Sequence, residues 1–219
     1  MRYFDNTVLN AAMSYESYRK LIDDLLAENR TTSEAPGFNT PAMLEYSKLN
    51  VARMNRLDKT GKLGADTLEK LSQINQAQTW LVITEGWCGD AAQIVPILQK
   101  MAAANSNIQL RFILRDENPE VMAAFLTQGS RSIPKVIILN TETLEVLGDW
   151  GPRPSVAQAM VMAAKEEMEN TTDKALKAQR YEELKTTLHS WYAQDKTRLT
   201  QQEFLDVLVA LPRTALQTI

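Results

Sequence analysis

The chain of 219 residues has one cysteine, Cys88, in the stretch EGWCGDAAQIVP. Trp87 precedes it, Gly89 and Asp90 follow, and Ala91 stands at the fourth position, where a C-x-x-C pair would carry its second sulfur. A lone thiol closes no internal disulfide, so the fold does not depend on oxidation. A mixed disulfide on Cys88 would need an outside thiol to resolve it. With one Cys and one His in the chain, a zinc site of the usual kind is excluded unless subunits share ligands. No metal site is assigned.

The neighbouring elements place this thiol. TWLVIT is a short, continuous apolar run of the kind that forms a buried strand. AAQIVPILQKMAAAN is helical, with Pro96 expected to kink it. Cys88 therefore falls at a strand-to-helix junction, where free N–H groups and the helix dipole favour a thiolate. Asp90 opposes this by like-charge repulsion. At about 5 to 6 Å that repulsion is on the order of 1 to 3 kcal/mol at an effective dielectric of 20. The helix terminus contributes roughly 0.3 to 2 kcal/mol the other way. The two nearly cancel, and a strongly acidic thiol is not expected.

Downstream, IQLRFIL reads as a strand, PEVMAAFLTQG as a helix, KVIILN and LEVLGDW as strands, and PSVAQAM as the start of a helix. That order is α/β and needs at least one right-handed crossover. Both ends of the chain are helical. Tyr18, Leu21, Ile22 and Leu25 share one face, Thr40-Pro41 reads as a cap and first helical position, and Leu68, Leu71 and Ile74 follow. Near the C-terminus Tyr181, Leu184, Leu188 and Trp191 recur at helical steps. Thr200 to Glu203 reads as the capping box of a last helix that stops before Pro212. His189 on that amphipathic stretch is expected to be structural, and Lys48, Arg53, Arg56, Lys59 and Lys62 to be a solvated helix flank.

The net charge of −3 gives no reason to expect nucleic acid or an anionic membrane as partner. No Gly-rich phosphate loop occurs, the aliphatic runs are too short to span a bilayer, and the N-terminus is a poor signal peptide. A cytoplasmic chain is the expectation.

The strand WLVIT, the turn GWCGDA, Pro96 eight positions after Cys88, and RSIPKVIIL before a β-hairpin together resemble the thioredoxin superfamily over roughly residues 64 to 170. Within it the chain looks like proteins with W-C-G-D in the turn and helical extensions, whose pattern YSKLNVARMNRLDKT and DWGPRP also fit. The resemblance implies an α/β thioredoxin-like fold, a mixed sheet flanked by helices, with extra helices at both ends. The expected division is an N-terminal helical extension over 1–63, the thioredoxin-like domain over 64–170, and a C-terminal helical extension over 171–219 packed on the core. It also implies that Cys88 is the nucleophile and that Pro134 is a cis proline facing it. Ile133 and Pro134 would then present a backbone edge on which a peptide or small thiol pairs. Trp87, Gly89, Trp150, Arg153 and Arg131 are the candidate groove residues, and Asp90 is a candidate proton relay.

The chain departs from the family pattern in one coherent set. Ala91 replaces the resolving sulfur, Val82 falls where a buried aspartate would be, and Phe112 falls near its lysine partner. Losing both charges together leaves neither buried and unpaired. Two functions are expected from this. The first is a monothiol thiol–disulfide oxidoreductase without bound cofactor, using a low-molecular-weight thiol or a second protein as resolving co-substrate. The other is a non-catalytic binding or adaptor module in which Cys88 is at most a redox sensor. In both, the partner is a protein or a low-molecular-weight thiol or disulfide.

Overall fold

In the computed structural model, which describes residues 4–211, the apolar run becomes β1 (Gln78–Thr84), buried along its whole length. It pairs in parallel with β2 (Ile108–Leu114) and antiparallel with β3 (Lys135–Asn140), and β3 pairs antiparallel with β4 (Val146–Trp150). The sheet order is β2-β1-β3-β4. Successive strand residues face opposite ways, so a central strand with no exposed residue has cover on both faces.

Helices supply that cover. Before the sheet come α1 (Asn6–Ala11), α2 (Tyr15–Ala27), α3 (Pro41–Thr60) and α4 (Ala65–Ser72). Within it α5 (Gly89–Ala103) crosses from β1 to β2, and α6 (Pro119–Ala124) precedes β3. After it come α7 (Ser155–Glu169), α8 (Lys174–Asp195) and α9 (Arg198–Ala210). α5 continues through Pro96, its side almost wholly buried from Ala91 to Leu98. α6 is shorter than PEVMAAFLTQG suggests. Phe125 ends it, and the paired residues Thr127 and Ser130 turn the chain through positive-φ Gln128 and Gly129.

The positions that lack the family's buried charges are direct partners across the sheet: Val82 lies opposite Phe112 in the β1–β2 register. Both are fully buried, and the ring of Tyr18 from α2 stacks on Phe112 at 5.1 Å. The N-terminal segment also reaches the outer edge of β2. Met13 exchanges both backbone hydrogen bonds with Phe112, at 2.8 and 2.9 Å.

At the other end α9 is part of the core. Its Phe204 is fully buried, 4.7 Å from Trp80 of β1 and 5.6 Å from Trp150 of β4, ring to ring. The helix starts earlier than the expected capping box. Left-handed Lys196 and Thr197 turn the chain sharply out of α8, so Thr197 is the N-cap and Thr200 lies buried inside the helix. Glu203 instead crosses to α7, where its carboxylate accepts from the Ser155 N–H and hydroxyl. The expected stop before Pro212 lies outside the described residues. No helix among the described residues is long and apolar enough to cross a membrane.

Candidate active site around Cys88

β1 ends at Thr84, three residues make the turn, and Cys88 is the N-cap of α5. The cap geometry points the sulfur at the first free N–H groups, and Sγ accepts from the Ala91 N–H at 3.5 Å. On its other side the thiol donates to the Ile133 carbonyl at 3.3 Å. The Ile133–Pro134 peptide is cis, as is Gly151–Pro152. The loop after β4 presses on the loop before β3 so closely that a Cβ on Gly151 would lie 2.3 Å from the Pro134 carbonyl oxygen. With φ of +122° as well, that position requires glycine.

The sulfur is enclosed: Cys88 is 7% exposed. Burial pushes its pKa up to about 12, and the charge of Asp90 adds to this against the pull of the Ala91 N–H and Arg153. The resting group is a thiol. The balance struck from sequence between Asp90 and the helix terminus is thus overruled by desolvation, which depends on what covers the turn.

Asp90 and Arg153 do meet. Arg153 donates through Nε at 2.9 Å and Nη2 at 2.8 Å to one carboxylate oxygen, while Nη1 donates to Gln158 at 2.7 Å. The other carboxylate oxygen accepts from the Tyr192 hydroxyl at 2.6 Å. Both charged side chains are 12% exposed. Three donors therefore hold Asp90 as a fixed anion and tie α5, the β4–α7 loop and α8 together beside the thiol.

The N-terminal helices close the rest of the turn. Asn50 of α3 donates to the Gly86 carbonyl at 3.2 Å. Tyr46, one turn earlier on α3, packs so tightly on Gly89 that a Cβ there would meet its hydroxyl at 2.3 Å. That hydroxyl shares a hydrogen bond of 3.1 Å with His189 Nε2 of α8. Burial, and then the Arg53 cation, hold the His189 pKa down to about 4.

The segment before α3 lies over Trp87. Phe38 packs on the indole with ring centres 4.4 Å apart and planes tilted by 39°, and Arg115 sits 4.6 Å from the ring centre. The Thr32 hydroxyl donates to Glu85 and accepts from the Gly86 N–H at 3.0 Å. Glu85 also accepts from the Asp116 N–H at 3.0 Å and is fully buried. Burial raises its pKa to about 7, opposed by these hydrogen bonds and by Arg115, and reinforced by Asp116.

The structure thus gathers Trp87, Cys88, Gly89, Asp90, Ile133, Pro134 and Arg153 about one turn. Two candidates stand elsewhere. Trp150 is 7% exposed and packed on Phe204 of α9, so its ring fills core. Arg131 is half exposed, 3.9 Å from Asp116. Tyr46, Asn50, Tyr192, Thr32 and Glu85 were not anticipated. The first two lie in YSKLNVARMNRLDKT, the stretch whose family-like pattern was the available signal. Tyr192 carries none beyond helical spacing.

A mixed four-stranded sheet with a cysteine capping the helix after its first strand defines a thioredoxin-like α/β protein. A thioredoxin family model matches residues 37–169, and the chain belongs to that family. Among solved structures it is similar to a protein of unknown function from Pseudomonas aeruginosa. That match has 17% identity and a TM-score of 0.53, covering 90% of this chain and 98% of that one. It is also similar to the NTD_N/C domain of alkylhydroperoxide reductase AhpF from Enterococcus faecalis, with 17% identity and a TM-score of 0.36, covering 52% of this chain and 57% of that one. No curated protein matches the chain.

Proposed function

We propose that the protein is a monothiol thiol–disulfide oxidoreductase. The observation that carries this is the seat of Cys88 Sγ between the N-terminal N–H groups of α5 and the backbone edge of Ile133-Pro134. A substrate that displaces the thiol from the Ile133 carbonyl gains that carbonyl as a pairing partner and frees the sulfur to ionise. Trp87 and Gly89 flank the sulfur in the turn, Arg131 stands apart beside Asp116, and Trp150 supports the far wall from the core. Asp90, fixed by Arg153 and Tyr192, holds the turn rather than carrying the proton, which passes to solvent on opening.

The chemistry is thiol exchange. Cys88 thiolate attacks one sulfur of a disulfide, forming a Cys88 mixed disulfide and expelling the other sulfur as a thiolate. An external low-molecular-weight thiol, as thiolate, then attacks the sulfur of the bound substrate half. Cys88 leaves as a thiolate and regains its proton, and a new disulfide departs. In the net exchange the substrate half begins and ends in a disulfide, the external thiolate sulfur is oxidised to the disulfide level, and the first leaving sulfur is reduced to a thiolate.

Turnover of 2-hydroxyethyl disulfide with glutathione as the external thiol tests this against the Cys88→Ser variant. Activity above the variant's background, with a 2-hydroxyethylthio adduct on Cys88 by mass spectrometry when glutathione is withheld, is the expected result. Equal rates in both proteins would overturn it. A second reading, a non-catalytic thioredoxin-like binding module, is favoured by the depth of the sulfur. It predicts no turnover and no adduct under the same conditions.

A further inference from the structure

The basic residues of α3, with Lys62 just beyond its end, do not share one setting. Lys48 pairs with Glu45, and Arg53 donates to Asn50 and lies over the Tyr46 ring. Arg56 and Lys62 instead line a cavity of about 380 Å³ between the end of α3 and the α8–α9 turn. Lys196 lines it from the other side, with Thr60, Thr197 and Tyr192. Three cations therefore converge on one cavity from segments more than 130 residues apart in sequence.

No Asp or Glu lines this cavity. Among the described residues none of the three cations has a carboxylate within ion-pair distance, and the nearby acids are engaged. Asp58 pairs with Arg19, and Asp195 accepts from the Leu199 N–H at 3.0 Å. Arg56 makes a single long bond, 3.3 Å to Gln93. The turn that brings Lys196 there uses two consecutive non-glycine residues in the left-handed region, at φ of 52° and 69°. Such backbone is disfavoured for side chains with a Cβ. The Thr197 oxygen accepts from Gln201 at 3.0 Å, which leaves its own proton to donate.

Like charges gathered without a counter-ion repel, and a bound oxyanion reverses that repulsion. A guanidinium suits two oxygens of a phosphate, and ammonium groups act as point charges beside it. We infer that this cavity is a binding site for a small phosphate-class anion, free or as a monoester, held by Arg56, Lys62, Lys196 and the Thr197 hydroxyl. Its volume falls in the range of small-molecule sites, so it has room for more than the anion alone. Tyr192 walls it from the Cys88 turn, with its hydroxyl committed to Asp90. The site therefore does not rest on the proposed redox role.

The test is ³¹P NMR line broadening of inorganic phosphate and of glycerol 3-phosphate, titrated with the full chain at an ionic strength fixed with NaCl. Saturable broadening is expected in the wild type. The double variant Arg56→Gln/Lys196→Gln should weaken it at least tenfold. Lys165→Gln, an exposed lysine on α7, should leave it unchanged, as should Cys88→Ser. All three cations are exposed, and a circular dichroism melt of each variant confirms that folding is retained. Lys62→Gln alone should weaken binding about threefold. Tighter binding of the ester would mark the ligand as a phosphate monoester, and equal binding as free phosphate. Broadening that never saturates, or that persists undiminished in the double variant, would overturn the site. Loss of binding in Cys88→Ser would overturn its independence from the sulfur.

Discussion

At Cys88 two neighbouring charges act in opposite directions on one proton. Asp90 raises the thiol pKa and Arg153 lowers it. Asp90→Asn removes the like charge and leaves the Arg153 cation uncompensated, so both changes favour thiolate. The thiol pKa, followed by thiolate absorbance at 240 nm, is expected to fall by about 1 or more. It should stay above the free-thiol value of about 8.5, because burial remains. An unchanged or higher pKa would contradict the arrangement. Glu85 gives a second measurable proton. Its pKa is raised from 4.5 to about 7 in the folded protein, so its stabilising contribution is full below 4.5 and is lost as pH rises through about 7. Arg115 and Asp116 are the charged groups that face it. Denaturant unfolding at pH 5 and pH 8 should show the wild type losing up to about 3 kcal/mol relative to Glu85→Gln. Parallel pH profiles for the two proteins would show that Glu85 does not titrate in this range.

The elements that close the turn come from both ends of the chain, and their fit is tight at Gly89. Gly89→Ala puts a Cβ 2.3 Å from the Tyr46 hydroxyl and should cost about 1 to 3 kcal/mol. In Gly89→Ala/Tyr46→Phe the nearest remaining atom is the ring carbon, 3.3 Å away. Equilibrium unfolding of the two single variants and the double variant should therefore give a favourable coupling of about 0.5 kcal/mol or more. Strict additivity would mean that α3 does not press on the turn. Such contacts explain what the sequence could and could not disclose. The strand TWLVIT, the Thr40-Pro41 helix start and the cysteine at a strand–helix junction follow from local composition and periodicity. The resemblance made Asp90 and Arg153 candidates at one groove, and their ion pair joins them there. The Tyr192 bond to Asp90 and the Thr32 bond to Glu85 join residues 102 and 53 positions apart. No local pattern encodes such pairs. For the same reason the depth of the sulfur, and with it the thiol pKa, could not be read from residues 85 to 96. The false capping box at Thr200 failed through the turn before it, where left-handed Lys196 and Thr197 begin the helix three positions earlier, with Thr197 as the N-cap.

Across the whole molecule the terminal helices behave as structural parts of the sheet's cover. Phe204 stands between Trp80 and Trp150 with no exposed surface. Phe204→Ala is expected to cost about 3 to 5 kcal/mol in denaturant unfolding, with a single cooperative transition retained. A loss below about 1 kcal/mol, or a separate early transition for the C-terminal helices, would show that α9 is an appendage. The contact of Met13 with Phe112 has a consequence of a different kind. β2 is the outermost strand on its side of the sheet, and a bare strand edge is a template on which a neighbouring chain can zip. One residue from the link between α1 and α2 closes two of its hydrogen-bonding groups at mid-strand. In a concentrated solution that short cross-piece denies foreign strands an uninterrupted ladder, so the N-terminal segment serves colloidal stability as well as the fold.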